Sequence, residues 1–240
     1  MKLTDIRRIG WDTETTGASP TTDRIVTAAI IVRDHERGNQ TLSWVINPGV
    51  DVPTEVSDIH GYTTARVQAE GVEPAGALNE IANRLTEAIT LRLPLIAFNT
   101  SFDWTVLHHD LIRNGLPTMY DRLAGEQPLT LIDPHVIDKQ VDRYVKGAGQ
   151  RKLKPTAERY GIEITDWHEA SADAEAALGI AEAQFDIYSS LTTYTPQGLF
   201  EAQQQWRAEQ QAGLQAYFRR TDPNAFVDPG WPLLAGEVNG

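Results

Sequence analysis

An α/β domain, built on a mixed five-stranded sheet flanked by helices and followed by a helical C-terminal arm, is the fold class this sequence predicts. Three observations predict it. Five strand-like runs alternate with helical runs in the order β-β-β-α-β-α-β-α. The second of those runs, RIVTAAIIV, is apolar on both faces, as suits a central strand covered on two sides. The composition, 41% apolar and 22% charged over 240 residues, is that of an ordinary folded domain.

Taken in order, Ile6 to Glu14 reads as the first strand and runs into a Thr/Gly/Ser/Pro loop. RIVTAAIIV follows, then the charged turn DHERGNQ and a third strand, TLSWVINPG, so that two short returns make an antiparallel meander. Leu78, Ile81, Leu85 and Ile89 recur at helical spacing in ALNEIANRLTEAI. LPLIAFN is a short buried strand, after which Ser101 is placed to cap a helix, FDWTVLHHDLIRNG, that ends at Gly115. LTLIDP is a further buried run and leads a helix with Val136, Val141 and Val145 among its apolar positions. A short helix from Leu153 to Tyr160 stops at Gly161, and a long one spans about Ser171 to Leu191. TYTPQG breaks the chain at 193–198, which sets expected boundaries of 1–192 for the domain and 193–240 for the arm. The arm holds one helix, about Leu199 to Arg220, and a Pro/Gly tail.

Several classes are excluded early. The longest apolar stretch, about Val26 to Val32, is too short to span a membrane. The start lacks the apolar core of a secretory signal, so a cytoplasmic protein without a membrane partner is expected. With no Cys, any metal must be held by oxygen or imidazole, which favours hard ions. A net charge of −12 has the wrong sign for a protein that merely coats nucleic acid. One local exception is the segment 143–154, with five basic residues (Arg143, Lys146, Arg151, Lys152 and Lys154) and no acid.

Three segments could carry chemistry. In WDTETTG, strand alternation sends Asp12 and Glu14 to one face, about 7 Å apart at the Cα level, and Trp11 and Thr13 to the other. Two carboxylates aimed together repel unless a cation lies between them. In NTSFDWTVL, Asp103 falls in the first turn of a helix, where an acid ordinarily offsets the helix dipole. In HEASADAEAAL, His168 precedes a helix and Asp173 lies just inside it. Small alanines surround the acid there and allow that helix close to a sheet.

Together, in this order, WDTETTG, AFNTSFDWTVL and HEASAD resemble the DEDD exonucleases with a histidine in the last motif (DEDDh), the family that includes the proofreading epsilon subunit of bacterial DNA polymerase III. The resemblance covers roughly 5–191 and implies a ribonuclease H-like fold. It implies Asp12, Glu14, Asp103 and Asp173 as ligands of two Mg²⁺ or Mn²⁺ ions and His168 as general base. It implies Thr15, Thr16, Gly17, His60 and Phe102 around a terminal nucleotide. The expected activity is 3′→5′ hydrolysis of a single-stranded or frayed DNA 3′ end, releasing nucleoside 5′-monophosphates. An exoribonuclease and a non-catalytic adaptor are the alternatives. QAGLQAYF (211–218) is spaced like a sliding-clamp peptide, so a polymerase or clamp partner is an expectation for the arm. Packing of its apolar residues, with Trp206 and Trp231, on their own domain is the preferred reading.

Overall fold

Apolar alternation builds the sheet, and the computed structural model describes residues 2–164 and 169–236 of the chain. Arg8–Thr15 (β1), Ile25–Arg33 (β2) and Gln40–Val45 (β3) form the expected antiparallel meander, with Trp11 opposite Ile30 and Asp12 opposite Ala29. Two short strands, Leu95–Ile96 (β4) and Leu131–Ile132 (β5), add in parallel on the other side of β1, giving the order β3-β2-β1-β4-β5. β2 is buried along its length up to Arg33, as its two apolar faces require. The parallel pairing brings the C-terminal ends of β1, β4 and β5 to one edge, where loops can gather functional groups.

Helices cover both faces. On one, Pro74–Thr90 (α3), Thr100–Arg113 (α4) and Met119–Arg122 (α5) pack with Ile9, Trp11 and Ile30 in the larger apolar cluster. On the other, Pro134–Val141 (α6) and Ala170–Ile187 (α8) pack with Ile31 and Ile96, while Leu153–Arg159 (α7) lies against α8. The domain is thus an α/β/α sandwich. Pro196–Phe218 (α9) is the helix of the arm, and its Phe200 meets Trp231 with ring centroids 5.1 Å apart inside the larger cluster.

Several boundaries differ from expectation. Thr54–His60 (α1) and Thr64–Glu70 (α2) carry no apolar stripe and were not anticipated; Val67, Val26 and Val52 hold them by tertiary packing. Val145 lies beyond the end of α6, and the long helix stops at Ile187, with a 3₁₀ turn over Ser189–Thr193. Gly115 and Gly161 take the left-handed conformation expected past a helix end.

Ser101 does not cap α4. The helix begins at Thr100, and Asn99 holds the position before it in a left-handed conformation (φ 62°, ψ 46°) without a side-chain cap. A carboxylate from elsewhere does the capping. Asp133, with no solvent exposure, accepts from the amides of Asn99, Thr100 and His135 at 3.0 Å each and of Val136 at 3.3 Å. It also accepts from the Trp231 indole N–H at 3.1 Å. One buried carboxylate therefore starts both α4 and α6 and fastens the tail. Gln203 of α9 completes this corner: its Oε1 accepts from the Asp133 amide at 2.7 Å and its Nε2 donates to the Leu131 carbonyl at 3.0 Å. The edge of β5 is thereby closed.

The seat of α8 is set by contact and charge. A Cβ on Gly10 would stand 2.6 Å from Leu178 and 2.8 Å from the Ala174 carbonyl oxygen, so only glycine admits the helix this close. Arg8 donates to Glu182 at 2.7 Å, and Arg33 joins β2 to both Glu182, at 2.6 Å, and Glu175. Gly10→Ala is expected to cost about 1–3 kcal/mol of unfolding free energy by urea titration, because backbone must move. Any rise in melting temperature that added Mn²⁺ gives the wild type should be mostly lost in the same variant, since α8 carries Asp173. Unchanged values for both would refute the close-approach account.

Candidate active site

Gly10, Asp12 and Glu14 share the α8 face of β1, and Asp173 stands in the first turn of α8 above them. One ligand oxygen from each of Asp12, Glu14 and Asp173 can be chosen so that all lie within 4.8 Å of one another. Asp103 arrives from the opposite face, on α4, around the end of β1. Its Oδ1 accepts from the Thr13 amide at 3.1 Å and the Thr13 hydroxyl at 2.7 Å. Thr13 is the residue that sequence reading missed. Alternation correctly sends it away from Asp12, and that is the side from which Asp103 comes.

Crowding shows in the proton affinities. Burial, then the charges of Asp103, Asp173 and Glu14, push Asp12 well above the usual carboxylate range. Burial, then Asp173 and Asp103, raise Glu14 to about 8. Asp103 is raised to about 7 by burial, against the lowering effect of its Thr13 bonds. Asp103 is thus electrostatically part of the group, although the tight oxygen cluster consists of the other three. Such a set of hard oxygen donors, unfavourable as bare anions, fits divalent cations of the Mg²⁺ or Mn²⁺ type.

The loop after β1 is rigidly cross-bonded. The Thr16 amide donates to the Arg24 carbonyl at 2.9 Å, the Thr16 hydroxyl to Asp23 at 3.0 Å and the Thr15 hydroxyl to the Gly17 carbonyl at 2.6 Å. A Cβ on Gly17 would meet the Asp23 carboxylate at 2.5 Å. The Thr16 hydroxyl is turned to its own loop. Phe102 is partly buried beside Asp103 in the first turn of α4. His60 ends α1, buried, with Nδ1 accepting from the Tyr62 amide at 3.1 Å. The Arg66 guanidinium of α2 is held above its usual value first by its hydrogen bond to Glu70, with the charge of Glu169 a smaller contribution. His168 lies outside the described residues.

The comparisons with known proteins fit this geometry. The RNase T exonuclease family matches residues 9–181. The chain belongs to the exonuclease family. No curated protein matches it in sequence. Among solved structures, E. coli Exonuclease I in complex with a dT13 oligonucleotide is 20% identical, with a TM-score of 0.62 over 78% of this chain and 43% of that one. The zinc-bound form of the E. coli Exonuclease I–ssDNA complex is 20% identical, with a TM-score of 0.64 over 78% and 42%. Exonuclease I from Methylocaldum szegediense is 22% identical, with a TM-score of 0.61 over 77% and 41%. At these identities the likeness is one of fold, and the chain spans about two fifths of the length of those enzymes.

The raised carboxylates give the metal-free protein a signed pH dependence. Between the ordinary Glu value of 4.5 and about 8, Glu14 holds its proton in the folded state and has lost it in the unfolded one. Its contribution to stability therefore falls as pH rises through that window. The melting temperature of EDTA-treated protein should drop from pH 5 to pH 8.5, and Glu14→Gln should flatten part of the drop. Mn²⁺ should raise the melting temperature most at the alkaline end. A Glu14→Gln profile parallel to wild type would contradict the crowding.

Proposed function

We propose that the chain is a metal-dependent 3′→5′ exonuclease of the proofreading or repair type, which removes nucleoside 5′-monophosphates from DNA 3′ ends. The observation that supports it best is the convergence of Asp12, Glu14 and Asp173 within 4.8 Å in a member of the exonuclease family. Asp12, Glu14, Asp103 and Asp173 would hold two ions, Mg²⁺ or Mn²⁺. Bound there, such ions lower the pKa of water and neutralise charge on the scissile phosphate. His168 takes the proton of the attacking water, its reference pKa suiting exchange near neutrality. Thr13 keeps Asp103 aimed at the strand end by donating two hydrogen bonds to one of its oxygens.

The Thr15–Gly17 loop, Phe102 and His60 form the walls for the terminal nucleotide, the backbone meeting the 3′ hydroxyl and an aromatic group stacking on the base. The Exonuclease I structures with dT13 and dA16 oligonucleotides support DNA as the substrate class. Among the described residues no helix is long and apolar enough to cross a membrane, and a cytoplasmic setting is part of this reading. On the arm, Gln211 is spent on the Asp228 carbonyl at 3.1 Å, while Leu214, Tyr217 and Phe218 stay exposed. That end of α9 is where a polymerase or clamp partner would sit.

Matched DNA and RNA strands, single and double, test the reading when digested side by side with Mg²⁺ or Mn²⁺. DNA 3′ ends should yield mononucleotides, and EDTA should stop the release. Asp12→Ala or Asp173→Ala should lower the rate at least about a thousandfold, the equivalent of the several kcal/mol that metal-assisted charge stabilisation supplies. Release from RNA alone would reassign the substrate. No release from either at micromolar enzyme would make the chain an adaptor.

A further inference from the structure

The basic segment 143–154 is sorted by the structure into brace and display. Arg151 donates through Nη1 to Asp138 at 2.6 Å and through Nη2 to the Asp142 carbonyl at 2.6 Å. Arg159 reaches both oxygens of Asp138 at 2.9 Å, and the Tyr160 hydroxyl donates to the same carboxylate at 3.1 Å. Asp138 is wholly buried. A single carboxylate on α6 thus pins the far side of the 142–152 loop, so that loop is pre-organised rather than slack.

What the pinned loop displays is an aromatic ring among cations. Tyr144 is 86% exposed, the most exposed large apolar side chain among the described residues, and Arg143 and Lys146, beside it in the chain, and Lys152, at the end of the same loop, are exposed as well. Arg143 donates through Nε to the Gln140 carbonyl at 3.3 Å. A tyrosine ring gains much by packing, yet here a braced backbone holds it in water. An acidic peptide would be served by the cations alone. The ring adds a face that suits a nucleobase, and stacking tolerates any base, as an enzyme that consumes a strand requires.

We propose that Tyr144 is a stacking platform for a base of the single-stranded substrate upstream of its 3′ end, with Arg143 and Lys146 on the adjoining phosphates. This rests on the nuclease reading for its substrate class. Its test is binding of a fluorescein-labelled dT15 to the full chain in EDTA, followed by anisotropy. Tyr144→Ala should weaken binding about 5- to 100-fold, and Tyr144→Phe should retain it. Replacing Arg143 and Lys146 together by Ala should lower the slope of log affinity on log salt by about 1.4.

Hydrolysis of the p-nitrophenyl ester of thymidine 5′-monophosphate, a phosphodiester with no upstream base, should be unchanged in Tyr144→Ala. Undiminished dT15 affinity in that variant, or equal loss of ester hydrolysis, overturns the platform. Capture of a poly-glutamate peptide with the same Tyr144 dependence overturns it too, in favour of an acidic protein partner. A wild type that binds dT15 through Tyr144 but releases no nucleotide would sink the nuclease reading and leave this one standing.

Discussion

The candidate site depends on how closely α8 can lie on β1. Asp173 comes within reach of Asp12 and Glu14 because the helix meets the strand across Gly10, with the Ala174 carbonyl where any side chain would have to be. Ala174, Ala177 and Ala181, all in the apolar cluster on that face, keep that side of the helix thin. The Arg8 and Arg33 pairs with Glu182 and Glu175 then fix its rotation. These ion pairs are partly buried and shared among two cations and two acids, so each charge is compensated where solvent is scarce. Small side chains set the distance, and the charge network sets the angle.

Two acids at the heads of α4 and α6 divide labour in a way that accounts for the electrostatics. A first-turn acid such as Asp103 ordinarily serves its own helix end. Here Asp133 has taken that task for both α4 and α6, satisfying four backbone amides at once. Asp103 turns to the end of β1, where Thr13 receives it. Its charge then adds to those of Asp12, Glu14 and Asp173, and folding must hold this crowd of acids together. That repulsion is a local version of the negative balance of the whole chain.

Much of this was legible in the sequence, and what was not has identifiable causes. The meander, the doubly buried β2 and the amphipathic α3 announced themselves by periodicity. The four acids stood out through strand alternation, helix starts and their order along the chain. The hub at Asp133 did not: LIDP reads locally as the end of a strand, and the groups that Asp133 binds lie up to 98 residues away. Ser101 looked like a cap because the competing carboxylate was invisible at that range. Helices α1 and α2 were missed because their seven-residue lengths carry too little apolar pattern. The basic segment was plain as charge, but which cation braces and which is displayed depends on Asp138, buried on another helix.

The tail reaches farther into the molecule than its Pro/Gly composition suggests. Trp231 donates to Asp133, and the Leu234 amide donates to Thr105 at 3.0 Å, two residues beyond Asp103 on α4. Trimming the chain from its C-terminal side would therefore do more than shed a decoration. It would strip an indole lid from a sealed carboxylate, let water into the joint between two helices, and slacken the mount of the acid in the first turn of α4. A shortened variant would betray the loss first as a weaker appetite for metal.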